Sequence, residues 1–135
     1  MDLSIRAVGP EEVEYEEFFV HSTDWWIAIF EVIQDALGNQ FPVDAMFPRV
    51  HPILSKGLPL MDRGAAYVLG WQLERVVASG VARAVLLDRY RREGPSLDMS
   101  PEEVGDFVDR MIPLVESFAD FLLHCGGCYP KGHKP

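Results

Sequence analysis

Ser100-Pro101-Glu102-Glu103-Val104-Gly105-Asp106-Phe107 opens the segment whose pattern decides the fold. Ser100 can cap exposed helical N–H groups, Pro101 suits the first helical position, and Glu103 stands where its carboxylate reaches back to the cap. From there Val104, Phe107, Met111, Val115, Phe118, Leu122 and Cys125 recur at spacings of three or four, which is one face of an α-helix. Asp106, Asp109, Pro113, Glu116 and Asp120 fall on the outer side. A helix with one continuous apolar seam needs other apolar faces to bury it.

Working outward, residues 60–79 suit a second helix, with Gly64, Ala65, Ala66 and Gly70 set beside Val68, Trp71, Leu73, Val76 and Val77. Each helical glycine costs roughly 1 kcal/mol against alanine, so their presence implies close approach by another backbone. Gly80 should end that helix, and residues 81–92 resume with Ala82, Val85, Leu86 and Tyr90 on one face. Ser22 or Thr23 caps an earlier helix that closes at Gly38. Asp24, Glu31 and Asp35 give it only a thin polar stripe, so it should lie centrally or against a partner. Between these helices, residues 38–60 carry Pro42, Pro48, Pro52 and Pro59 among apolar side chains, an irregular stretch that should pack down or cover a pocket.

At the other end, Leu3, Ile5 and Ala7 alternate with polar neighbours, as in a short strand or an extended arm. Pro10-Glu11-Glu12-Val13 echoes Pro101-Glu102-Glu103-Val104, and both should start helices. The expected fold is all-α: a bundle of four to five helices in a single domain over residues 1–135, with that short N-terminal strand or arm.

A length of 135 residues suits one core, and 48% apolar with 24% charged residues is a globular composition. The net charge of −9 is uneven: residues 1–17 carry −5 and 93–123 carry −7, whereas 61–92 carry +3. Nucleic-acid phosphates would meet a mostly repulsive surface, since Arg83, Arg89, Arg91 and Arg92 form the only basic stripe. The apolar run at residues 25–30 is far below the roughly 20 residues that span a bilayer, and no signal-peptide plan opens the chain. Two cysteines close in sequence suggest no disulfide framework, and a cytoplasmic setting is expected.

The chemistry-bearing segment is His124-Cys125-Gly126-Gly127-Cys128, with His133 beyond it. His124, Cys125, Cys128 and His133 are zinc-ligand types, with His21 or His51 as substitutes, but no second ligand pair completes a tetrahedral motif. Cys125 continues the apolar seam of its helix, and Gly126 is a natural left-handed terminator. Because the pair follows a helix C-terminus, the dipole there should oppose a thiolate, so redox chemistry is not the expected use. His124, one turn after Asp120, is a typical helix-terminal cation. No nucleophile elbow, phosphate loop, zincin helix or dinucleotide fingerprint is present, so enzyme activity is not expected.

The leading expectation is therefore a non-enzymatic protein-interaction or regulatory domain, its partner another protein or a second copy in a homodimer, with no nucleic-acid or membrane partner. Trp25, Trp26, Phe30, Phe41, Met46 and Phe47 would anchor the contact, since aromatic residues and Met are enriched at interfaces. The rival expectations are a small zinc-binding protein using the C-terminal cluster and a helical pocket for a small apolar ligand beneath the proline-rich stretch. No other cofactor is expected.

Overall fold

The structure, a computed structural model, describes residues 3–20, 28, 29, 31–33, 35, 36, 62–93 and 98–130. These residues are mostly helical, with a small three-stranded sheet. In chain order they comprise β1 (Leu3–Ala7), a 3₁₀ turn (Val13–Tyr15), β2 (Glu17–Val20), a helix α1 seen at residues 28, 29, 31–33, 35 and 36, then α2 (Arg63–Ala78), α3 (Val81–Glu93), α4 (Pro101–His124) and β3 (Cys128–Pro130).

α4 begins as its sequence requires. The Ser100 side chain accepts from Glu103 N–H at 3.2 Å, and the Glu103 carboxylate accepts from Ser100 N–H at 3.2 Å. Val104, Val108, Met111, Val115, Phe118, Ala119, Phe121 and Leu122 are buried along it. α2 starts one residue after Asp62, whose carboxylate accepts from Ala65 N–H at 2.8 Å. Gly80, at φ 84°, separates α2 from α3 in a conformation that glycine adopts without a Cβ penalty.

Of the two helical glycines in α2, only Gly70 is a packing residue. A Cβ placed there would lie 2.8 Å from the Ala119 carbonyl oxygen and 2.9 Å from Leu122 Cβ, so α2 and α4 approach through the missing side chain. Gly64 faces nothing nearer than the Asp62 carboxylate at 3.6 Å. α3 closes the other side of α4 through Ala82, Leu86 and Tyr90, all buried, with the Tyr90 and Phe107 rings edge to face at 5.0 Å.

The thin acidic stripe of α1 meets α3. Arg89 donates to both Asp35 carboxylate oxygens, at 2.9 and 3.1 Å, and stands 3.7 Å from Glu31. Ala28, Ile29, Val32 and Ile33 of α1 are fully buried. Arg83 pairs with Asp109 at 2.9 Å and Arg92 with Asp88 at 2.9 Å, so three of the four arginines of the basic stripe are bound to acids of the same chain.

Beyond the short N-terminal strand or arm expected, the helices are accompanied by a small three-stranded sheet. β1 is its central strand, antiparallel to β2 on one side and to β3 on the other. Ile5 sits opposite Phe18 on one strand and Pro130 on the other, and Ile5 and Phe18 are buried. Phe18 packs on Phe118 and Phe121 of α4, with centroids at 5.1 and 5.7 Å, which fixes one face of the sheet against the helices. Pro10-Glu11-Glu12-Val13 was expected to open a helix and yields only the 3₁₀ turn. Its N-cap residue, Glu12, makes no side-chain cap hydrogen bond, and the chain beyond it is drawn into pairing with β1.

The two glycines of α2 give opposite expectations. Gly70→Ala should destabilise the fold by about 2 kcal/mol or more, because the colliding atom is backbone and cannot rotate away. Gly64→Ala should be neutral or stabilising by up to about 1 kcal/mol through helix propensity. Urea denaturation of the two variants measures both.

Candidate functional site

The C-terminal turn brings α4, β3 and the N-terminal arm together. Cys125 caps α4, Gly126 and Gly127 take φ values of 67° and 102°, and the chain reverses so that Cys128 enters β3 opposite Ala7. A Cβ on Gly126 would sit on the Gly9 carbonyl. Carbonyls of the turn then hold the arm: Val8 N–H donates to Gly127 O at 2.8 Å, Gly9 N–H to Cys125 O at 3.0 Å, and Glu11 N–H to His124 O at 3.0 Å.

Both cysteines are buried thiols, at 0% and 1% exposure. Cys125 donates to the Leu122 carbonyl at 3.6 Å, and the Cys128 thiol lies within hydrogen-bonding reach of the Cys125 sulfur. That hydrogen bond is the main reason the Cys125 pKa is lowered from its ordinary value. Burial opposes it, while the Gly127 N–H and the charge of His124 assist.

His124 turns toward the arm. Its Nδ1 is 2.6 Å from Glu11 Oε2, its Nε2 is 3.5 Å from Asp120 Oδ1, and the Tyr15 ring lies 4.6 Å away, centroid to centroid. The hydrogen bond to Glu11 raises the His124 pKa most, with the charges of Glu11, Asp120 and Glu12 adding to it and burial opposing. Tyr15 is pushed up to about 12, by desolvation first and then by hydrogen bonding to Asp120. Glu14 is raised by a hydrogen bond with Glu12.

The expected zinc ligands therefore divide. Cys125 and Cys128 are together, His124 is committed to Glu11 and Asp120, and His133, His21 and His51 lie outside the described residues. Among the described residues no three His, Cys, Asp or Glu side chains group as metal ligands, so zinc held by the two thiols would need donors from beyond them. Trp25, Trp26, Phe30, Phe41, Met46 and Phe47, the expected anchors, also lie outside the described residues, as does the proline-rich stretch.

The chain matches no family model, no curated protein and no solved structure.

Two features went unread in the sequence. Glu11 and Tyr15 are partners of His124 across more than a hundred residues, and no local spacing signals such a pair. An exposed apolar face on α2, formed by Tyr67, Val68 and Trp71, was legible only as two aromatics four residues apart. A groove of about 570 Å³ also runs along α4, lined among the described residues by Phe107, Met111, Pro113 and Leu114 with Arg110 and Ser117 at its polar positions. No helix among the described residues is long and apolar enough to cross a membrane.

The His124 contacts make stability depend on pH. A raised folded-state pKa means the contribution is complete below the unfolded value of 6.5 and is lost as pH rises through the folded one. The difference in urea midpoint between the native chain and His124→Gln should therefore be largest just below pH 6.5 and shrink above it. A difference independent of pH would contradict the ion-pair role.

Proposed function

We propose that the chain is a non-enzymatic protein-interaction domain, built as a helical bundle with an appended sheet, that presents the outer face of α2 to a second copy of itself or to a protein partner. One observation carries the reading: Tyr67, Val68 and Trp71 are 55%, 45% and 44% exposed on adjacent turns of one helix. Arg75 stacks its guanidinium 4.7 Å from the centre of the Trp71 ring, placing a cationic rim on the same face. Tyr, Trp and Arg are the side chains that dominate interface energetics, because they bury large area at little entropic cost. Trp25, Trp26, Phe30, Phe41, Met46 and Phe47 are proposed as anchors on their residue types alone. A cytoplasmic setting fits two cysteines present as thiols.

The groove along α4 favours a second reading, a pocket for a small apolar ligand, since about 570 Å³ falls in the range of small-molecule sites. The zinc-binding reading draws its support from the adjacent thiols of Cys125 and Cys128.

Native mass spectrometry of the whole chain separates the three. The interaction reading expects a metal-free dimer that the double substitution Tyr67→Ser, Trp71→Ser converts to monomer. A monomer carrying one zinc ion supports the metal reading, and added organic mass supports the pocket. A bare monomer unaffected by the substitutions removes self-association through α2.

A further inference from the structure

A cleft of about 330 Å³ lies where the N-terminal arm, the first turns of α2 and the end of α4 come together. Among the described residues, Glu11 of the arm, Arg63 and Tyr67 of α2, and Leu122 and Leu123 of α4 line it. Gly9 and Gly126 also border it and bring no side chain into the space. The three elements are fixed to one another without help from a ligand. A Cβ at Gly70 would lie 2.8 Å from the Ala119 carbonyl oxygen, so α2 rests on α4 through bare backbone. Gly9 N–H and Glu11 N–H donate to the carbonyls of Cys125 and His124, each at 3.0 Å, which ties the arm to the end of α4. A cleft formed in advance spares a ligand the cost of ordering its walls.

The charges on these walls are of both signs. The chain carries 21 acids against 12 lysines and arginines, and Arg6, Arg83, Arg89 and Arg92 each pair with a carboxylate. Arg63, exposed at the first position of α2, makes no ion pair or side-chain hydrogen bond with a described residue. Glu11 borders the same cleft and turns one carboxylate oxygen to His124 at 2.6 Å, leaving the other oxygen open to a second donor. A guanidinium and a carboxylate therefore face one cavity without neutralising each other, next to apolar surface from Leu122, Leu123 and the Tyr67 ring.

We propose that this cleft binds a free α-amino acid with an apolar side chain, its carboxylate on Arg63, its ammonium on Glu11 and its side chain against Leu122, Leu123 and Tyr67. The site has no lining residue in common with the groove along α4 and shares only Tyr67 with the outer face of α2, so it does not rest on the interaction reading. A zwitterion answers both charges at once. A simple anion would bring its charge toward Glu11, and a simple cation would bring its own toward Arg63. The planar guanidinium matches a carboxylate through two parallel hydrogen bonds, which suits it to the acid end of the ligand. A volume at the lower end for small-molecule sites favours one amino acid over a peptide.

The test titrates the full-length chain with L-leucine by isothermal titration calorimetry at neutral pH. One site per chain is expected, with a dissociation constant of about 1 mM or tighter. Arg63→Gln should weaken binding at least about tenfold, because a charge-assisted, paired hydrogen bond is lost. Arg91→Gln removes the same charge from an exposed side chain of α3 outside the cleft, and should leave the affinity unchanged. Isocaproate, which lacks the ammonium, and isoamylamine, which lacks the carboxylate, should each bind at least about tenfold more weakly than L-leucine. The proposal is overturned by an absence of binding with L-leucine at about 10 mM, by equal affinity in Arg63→Gln, by equal weakening in Arg91→Gln, or by either single-charge analogue binding as tightly as the amino acid.

Discussion

The C-terminal half of α4 is the surface on which α2, the sheet and the N-terminal arm are fitted. Ala119 and Leu122 receive the bare backbone of Gly70, Phe118 and Phe121 receive Phe18 from the sheet, and Cys125 closes the helix where the N-terminal arm crosses it. The tightest of these contacts is steric. A helix pair that meets through a glycine has no rotamer with which to absorb an added methyl group, so the separation of α2 and α4 is set by backbone against backbone. The sheet and the turn then occupy the space left at that end.

The same end concentrates the polar chemistry. His124 reaches to Glu11 and Asp120, while both thiols are buried, so neighbouring residues of one short segment are divided between an ionic cluster and an apolar interior. The division follows from where α4 ends. Cys125 is the last position on the buried seam, His124 precedes it on the flank, and the glycine pair lifts Cys128 back to the buried side. Closer packing of the arm would strengthen both halves together, because hydrogen bonds from Val8, Gly9 and Glu11 land on residues of the same turn.

Much of this was legible beforehand where the controlling interactions are local. The Ser100–Glu103 box, the apolar seam of α4, Gly80 as a terminator and Gly126 as a left-handed residue all follow from neighbours within about one helical turn. The reading of Pro10–Val13 failed for an instructive reason: proline and acids suit a helix start, but without a capping side chain they do not compel one. Glu17-Phe18-Phe19-Val20 carried the aromatic and β-branched content of a strand, and its partner, β1, had been identified without a second strand to pair it. The exposure of the α2 aromatics was not legible, because amphipathic spacing reveals which residues share a face, not whether another element covers it.

For this chain, then, local sequence determined roughly where three long helices begin and end, the apolar seam of α4, and which glycines serve turns, since capping and helical periodicity act over three or four residues. Tertiary structure alone decided that the N-terminal arm lies between β2 and β3, that His124 pairs with Glu11, and that Arg89 bridges to Asp35. Each of those depends on segments far apart in the chain being brought together, or on a backbone reversal braced by a distant strand, and no pattern of residue types within one segment encodes such a meeting.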